Sequence, residues 1–163
     1  MKKLQFKRRR EGKTDYNSRV KLLKSKEPRI VIRKTNKYIM AQIVMSKEAR
    51  DFTTIYCNSK ELAKFGWSFS FKNLPASYLT GFLTAQKAKK KNIKKAILDL
   101  GLQRSIPGSR IYAVVKGAVD NGLEINCKEE MFPKEERIKG NHTKKSDEIK
   151  KISDEIKNKI KSI

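Results

Sequence analysis

Lys7, Arg8, Arg9 and Arg10 stand side by side in FKRRREGKTDYNSR, residues 6–19, and Lys13 and Arg19 follow within the same stretch. Cations at this density are chemistry for holding a polyanion, because each can take a phosphate and release its counterion. Gly12 lets the backbone come close to a partner. Asp15 is the odd member. It can stabilise a helix N-terminus, orient a neighbouring arginine, or accept a hydrogen bond from a base or a sugar hydroxyl.

A second constellation lies in GLQRSIPGSR, residues 101–110. Gly101, Pro107 and Gly108 shape a turn, Arg104 and Arg110 flank it, and Ser109 stands where the amides of a following helix begin. That is a phosphate-binding pattern, although a plain strand-to-helix connection has the same composition. GWSFSF, residues 66–71, sets Trp67, Phe69 and Phe71 at alternate positions. They suit base stacking, or equally the buried face of a strand from which Trp67 alone stays exposed. KAKKKNIKK, residues 87–95, reads either as a further cationic patch or as a solvated helix end whose lysines complement the dipole.

Catalysis on RNA finds little support. Two-metal nucleases need carboxylates converging from strands, and the expected strands offer Asp99, with Asp51 at a margin. The one histidine, His142, has no nucleophile to activate. Cys57 and Cys127 lie far apart, which argues against a zinc site or a disulfide framework and leaves two ordinary thiols, Cys57 in a strand. No cofactor is implied.

The whole chain shares the cationic bias: 40 Lys and Arg face 17 Asp and Glu in 163 residues, a net charge of +23. Nucleic acid is the expected partner, ahead of an anionic membrane face or an acidic protein. No run of apolar residues reads as a signal peptide or a membrane span, so a soluble, cytosolic protein is expected.

Three zones position these residues. Residues 1–27 form an arm with 11 cations and three acids, too poor in apolar groups to fold alone. Thr14 is expected to cap a short helix that docks through Tyr16, Val20 and Leu23, with the stretch before it mobile until it meets a partner. Residues 28–126 read as an α/β domain. PRIVIRKTNKYIMAQIVM is a hairpin in which Asn36 tolerates the left-handed turn conformation, FTTIYC is a third strand, and Asn58 with Glu61 starts a short helix. LPASYLTGFLTAQKAKKK is a helix opened by Pro75, with Tyr78, Leu79, Phe82 and Leu83 on one face. KAILDL is a buried strand, and Ile111, Val114, Val115, Ala118 and Val119 mark a last helix. The order βββαβα predicts a mixed sheet with helices packed on it. Residues 127–163 form a tail in which Ile149, Ile152, Ile156, Ile160 and Ile163 step by 3, 4, 4 and 3. Docking of this amphipathic helix on the body or a neighbour is expected rather than a coiled coil.

FKRRREGKTDYNSR, PRIVIRKTNKYIMAQIV, ELAKFGW, LPASYLTGFL and IPGSRIYAVVKGAVDNGLEI, followed by EERIKG, closely resemble in order and spacing the archaeal and eukaryotic-type form of the large-subunit ribosomal protein eighteen family. The resemblance spans roughly residues 4–142. It implies a structural protein that binds 5S ribosomal RNA and attaches it to the large ribosomal RNA in the central protuberance, beside neighbouring large-subunit proteins including the family-five 5S-binding protein. It also implies a ribonuclease-H-like α/β fold without catalysis. The family's RNA-contacting segment matches Lys7–Arg10, Lys13, Thr14, Asp15, Tyr16 and Arg19, its hairpin Arg33, Lys34, Asn36 and Lys37, and its glycine loop Arg104 and Arg110. Two departures stand out: Asn126 and Cys127 replace a Pro-His pair that the family commonly shows after GLEI, and the tail after His142 is too simple to match. A general architectural nucleic-acid-binding protein would share the charge without the 5S specificity.

Overall fold

The computed structural model describes residues 4–48, 50–143 and 145–162. Its centre is a hairpin of β1 (Arg29–Lys34) and β2 (Ile39–Lys47), paired antiparallel from Arg29 with Val44 to Lys34 with Ile39. The turn is closed by Thr35, whose backbone N–H donates to the Tyr38 carbonyl at 2.8 Å and whose hydroxyl accepts the Tyr38 N–H at 2.9 Å. Asn36 does not take the left-handed conformation expected of it. The Thr35 side chain holds the loop, so no residue there needs positive φ.

Strand β3 (Arg50–Asn58) pairs antiparallel with β2, while β4 (Lys95–Asp99) runs parallel to β1, with Val31 opposite Asp99. A short β5 (Glu124–Ile125) adds in parallel beyond β4 and completes the order β3-β2-β1-β4-β5. The βββαβα reading missed that last strand, which at two residues is too short to show a period. The sheet is otherwise mixed as expected, and its arrangement is the ribonuclease-H-like one.

Alternation along β1 sorts its residues between two faces. Ile30 and Ile32 are fully buried beneath the helices, whereas Arg29, Val31 and Arg33 point to the other side. On the helix side lie α3 (Leu74–Lys90) and α4 (Arg110–Asp120). The Asn73 side chain caps α3 by accepting the Ala76 N–H at 2.8 Å, and Pro75 sits in its first turn. The two helices cross at Gly81 and Gly117: a Cβ on Gly81 would lie 1.9 Å from the Val114 carbonyl oxygen, and one on Gly117 would lie 2.0 Å from that of Tyr78.

Tail helix α5 (Ser146–Lys161) packs on α3, burying Ile149, Ile156 and Ile160 and half-burying Ile152. Ile163 of the same stripe lies outside the described residues. Helix α3 is thereby covered on the face away from the sheet as well, with Lys157 5.1 Å from the Tyr78 ring and Lys161 6.0 Å from that of Phe82. The lysines at the end of α3 are also engaged. Lys87 donates to the Tyr56 carbonyl at 3.1 Å and Lys91 to that of Thr54 at 2.6 Å, occupying backbone groups of the edge strand β3. Cys57 is buried in β3, where burial pushes its thiol pKa up. Among the described residues, no helix is long and apolar enough to cross a membrane.

GWSFSF is not a strand. Asn58 and Glu61 form the expected capping box of a 3-10 helix, Ser59–Phe65, which Gly66 ends in the left-handed region. Trp67 then turns inward, 3% exposed, with its ring 5.4 Å from Phe69 and its indole N–H donating to the Ser70 carbonyl at 3.3 Å. The expectation of an exposed, base-stacking Trp67 is therefore overturned: its ring is core.

Candidate nucleic-acid interface

The arm is built by local hydrogen bonds that compensate for its lack of apolar burial. Lys7–Arg10 form a single helical turn, α1, where a mobile stretch was expected. The chain then reverses at Gly12, whose φ of +62° suits glycine although space around it is open. Arg8 Nε donates to the Thr14 hydroxyl at 2.9 Å, and the Lys13 N–H donates to the Arg8 carbonyl at 2.9 Å. Thr14 is thus engaged by Arg8 and does not cap the helix. Asp15 does, accepting from the Asn17 N–H at 3.0 Å, the Ser18 N–H at 3.3 Å and the Ser18 hydroxyl at 2.6 Å. These bonds, Ser18's first, hold its carboxyl below the usual value. Of the three roles open to Asp15, helix N-capping is the one seen.

Helix α2 (Tyr16–Lys24) does not dock through a buried apolar stripe. Tyr16 and Leu23 are half-buried and Val20 is 51% exposed. An ion ladder attaches it to the sheet instead. Arg19 donates to Asp51 Oδ2 at 2.8 Å, and Arg29 donates to Asp51 Oδ1 at 2.8 Å and to Asp99 Oδ2 at 2.9 Å. Arg33 donates to Asp99 Oδ1 at 3.3 Å and, through its other nitrogen, to the Asp99 carbonyl at 2.9 Å and the Ile32 carbonyl at 2.8 Å. The Ser46 hydroxyl also bonds Asp51. Partial burial raises the Asp51 pKa, but Ser46 and the two arginines outweigh it and hold the group below its usual value. Both carboxylates that strand chemistry might have used are therefore already matched by guanidinium groups.

Between the arm and the ends of β1 and β4 opens a cleft of about 480 Å³. Arg8, Lys13 and Arg19 line it from the arm, Arg33 and Asp99 from the sheet, and Gly101 from the following loop. The carboxyl ends of parallel strands are where open α/β sheets bind ligands, because the loops diverge there. Gly101 has a φ of +60°, and a Cβ there would come within 2.8 Å of Arg33 Nη2, so glycine serves both the turn and the guanidinium's seat.

The other expected contacts surround this end of the sheet. Lys34, Asn36 and Lys37 are exposed at the hairpin, and Arg104 is exposed on the loop after β4. Gln103 donates to the Ile32 carbonyl at 3.1 Å and ties that loop to β1. Arg110 is partly spent on structure, donating to the Lys72 carbonyl at 3.1 Å. Ser109 occupies the N-cap position of α4 with no side-chain capping bond, and its buried hydroxyl has no partner. Arm, hairpin and loop thus form a cationic rim, from which Trp67 is absent. Arg29 is a member of the ladder that no sequence pattern marks, because only the fold brings Asp51 and Asp99 to it.

Fold and site together define a basic α/β scaffold that presents cations around one end of its sheet and commits Asp51 and Asp99 to arginines. A family profile described as ribosomal large subunit proteins 60S L5 and 50S L18 matches residues 2–94 and 87–128. The large ribosomal subunit protein uL18 of Korarchaeum cryptofilum is 51% identical over 140 residues, which is 86% of this chain and 72% of the relative. That of Methanoregula boonei is 48% identical over 153 residues, 94% of this chain and 87% of the relative. That of Methanospirillum hungatei is 48% identical over 137 residues, 84% and 78% respectively. The chain belongs to this uL18 family of large-subunit ribosomal proteins, whose members are structural and not enzymes.

Proposed function

We propose that the chain binds 5S ribosomal RNA through the arm, the cleft and the hairpin, and fastens it to the large ribosomal RNA in the central protuberance beside a family-five protein. The observation that carries this reading is the convergence of Arg8, Lys13, Arg19 and Arg33 on one cleft, in a chain of this family. A-form RNA closes its deep major groove to side chains, so recognition falls on phosphates, 2′-hydroxyls and unstacked bases. The arm supplies phosphate contacts along its cation run, and the ion ladder sets the angle at which it leaves the sheet. Because Arg19, Arg29 and Arg33 together hold Asp51 and Asp99, the negative charge of the two carboxylates is balanced before RNA arrives. The approaching backbone meets a net positive surface.

The test is a salt series of filter-binding measurements on the Arg8→Ala, Arg9→Ala, Arg10→Ala triple variant. On duplex-DNA scaling the slope of log affinity against log salt falls by roughly 0.9 per lost phosphate contact, so by about 2 to 3 for three. An unchanged slope would mean that the arm touches no phosphates. Duplex DNA at matched salt is the control for specificity: binding equal to that of 5S RNA would support a general architectural role in its place.

A further inference from the structure

The arm carries an aromatic surface that phosphate binding does not use. Phe6 is 72% exposed, and its ring lies 5.1 Å from that of Tyr16 at an interplanar angle of 42°. Tyr16 also lines a groove of about 590 Å³ together with Val20, Leu23, Arg8 and Arg19. An exposed ring next to the Lys7–Arg10 turn is a poor candidate for self-burial, since covering it with protein would bring those cations out of water. A ligand that is flat and apolar but carries its own negative charge resolves that conflict. Unpaired nucleotides have this chemistry, with a π-face for the rings and a phosphate for the guanidinium groups.

We propose that Phe6 and Tyr16 form one stacking platform for an unpaired base of the bound RNA, with Arg8 and Arg19 holding the adjoining phosphate. Phe6 offers the freely exposed face, and Tyr16, fixed in the first turn of α2, supports it from behind and opens onto the groove. The proposal rests on the RNA-binding reading above and specifies that part of the RNA bound at the arm is single-stranded.

The test compares an oligouridine single strand with a fully paired RNA duplex of equal length, using the full chain and its Phe6→Ala, Phe6→Leu and Phe6→Trp variants. Phe6→Ala is expected to weaken single-strand binding by about 5- to 150-fold, the range for one lost base stack, with duplex affinity and salt slope nearly unchanged. Phe6→Leu, apolar but without a π-face, falls with it, and Phe6→Trp restores binding. Since Trp67 is 3% exposed, the tryptophan added in Phe6→Trp is the one accessible indole, and its fluorescence is quenched by the single strand. Phe6 is too exposed for these variants to unfold the chain, which melting curves would verify. Full affinity in Phe6→Leu would overturn the proposal, since an apolar side chain without a π-face would then suffice, and equal losses on single strand and duplex would overturn base stacking. If the wild-type chain bound 5S RNA but Phe6→Ala left oligouridine affinity unchanged, the platform alone would fall. Absence of wild-type binding to 5S RNA would remove the broader reading.

Discussion

Arg29 and Asp99 meet at 2.9 Å across β1 and β4, with the Arg29 side chain only 3% exposed and the Asp99 side chain 10% exposed. The same guanidinium reaches Asp51, so a single residue joins the sheet interior to the carboxylate that anchors the arm helix. Removing one partner of such a buried pair leaves an uncompensated charge, and Arg29→Met is expected to cost about 3–5 kcal/mol in urea unfolding. Arg29→Met with Asp99→Leu should recover much of that loss, because both charges then leave together. A cost below about 1 kcal/mol for the single change would show that the ladder does not hold the sheet.

The crossing of α3 and α4 predicts an unusually large effect for one methyl group. A Cβ on Gly81 would sit 1.9 Å from the Val114 carbonyl oxygen, a backbone atom that cannot rotate away. Gly81→Ala should therefore exceed the usual overpacking cost of about 1–3 kcal/mol, despite alanine's better helix propensity. Thermal melting of Gly81→Ala against Ala85→Gly, also on α3, would separate clash from propensity.

The tail is expected to serve stability and not 5S recognition. Ile156 is fully buried, so Ile156→Ala should lose about 2–5 kcal/mol. Deleting residues 147–163 uncovers Tyr78 and Phe82, yet below the variant's melting temperature its affinity for free 5S RNA should stay within a few-fold. A loss of about a hundredfold, or 2.7 kcal/mol, would refute this division of labour.

Acid should loosen the arm's attachment through Asp51. Its folded pKa lies below the unfolded value of about 3.9, because Ser46, Arg19 and Arg29 outweigh the effect of burial. The stabilisation it supplies is full above the unfolded pKa and is lost as pH falls through the folded one. Melting temperature measured from neutral pH downward should hold until about pH 5 and then drop, less steeply in Asp51→Asn. Parallel acid limbs for the two proteins would remove Asp51 from this role.

Much of the fold was legible because its signals are local. Asn58 with Glu61 caps one helix through bonds spanning a few residues, Pro75 sits in the first turn of the next, and the two β-rich runs around Thr35–Lys37 pair as β1 and β2. The failures have equally specific causes. Thr14 and Asp15 are both competent caps, and Arg8 settles the choice by engaging the Thr14 hydroxyl from six residues away. Trp67 imitates a strand residue until the left-handed Gly66 folds it under the core.

The sequence by itself determined that this chain carries a cationic arm on an α/β body, since charge density, caps and periodicity are properties of neighbouring residues. It also contained the ordered motifs that mark the family. Only the tertiary structure decided that Asp51 and Asp99, 48 positions apart in the chain, would meet on Arg29, and that Arg33 would sit half on Asp99 and half in the cleft. It also decided that Phe6 would lie against Tyr16. Such meetings depend on which strand pairs with which and on which face each residue takes. A parallel pairing such as β1 with β4 joins segments that carry no local record of each other.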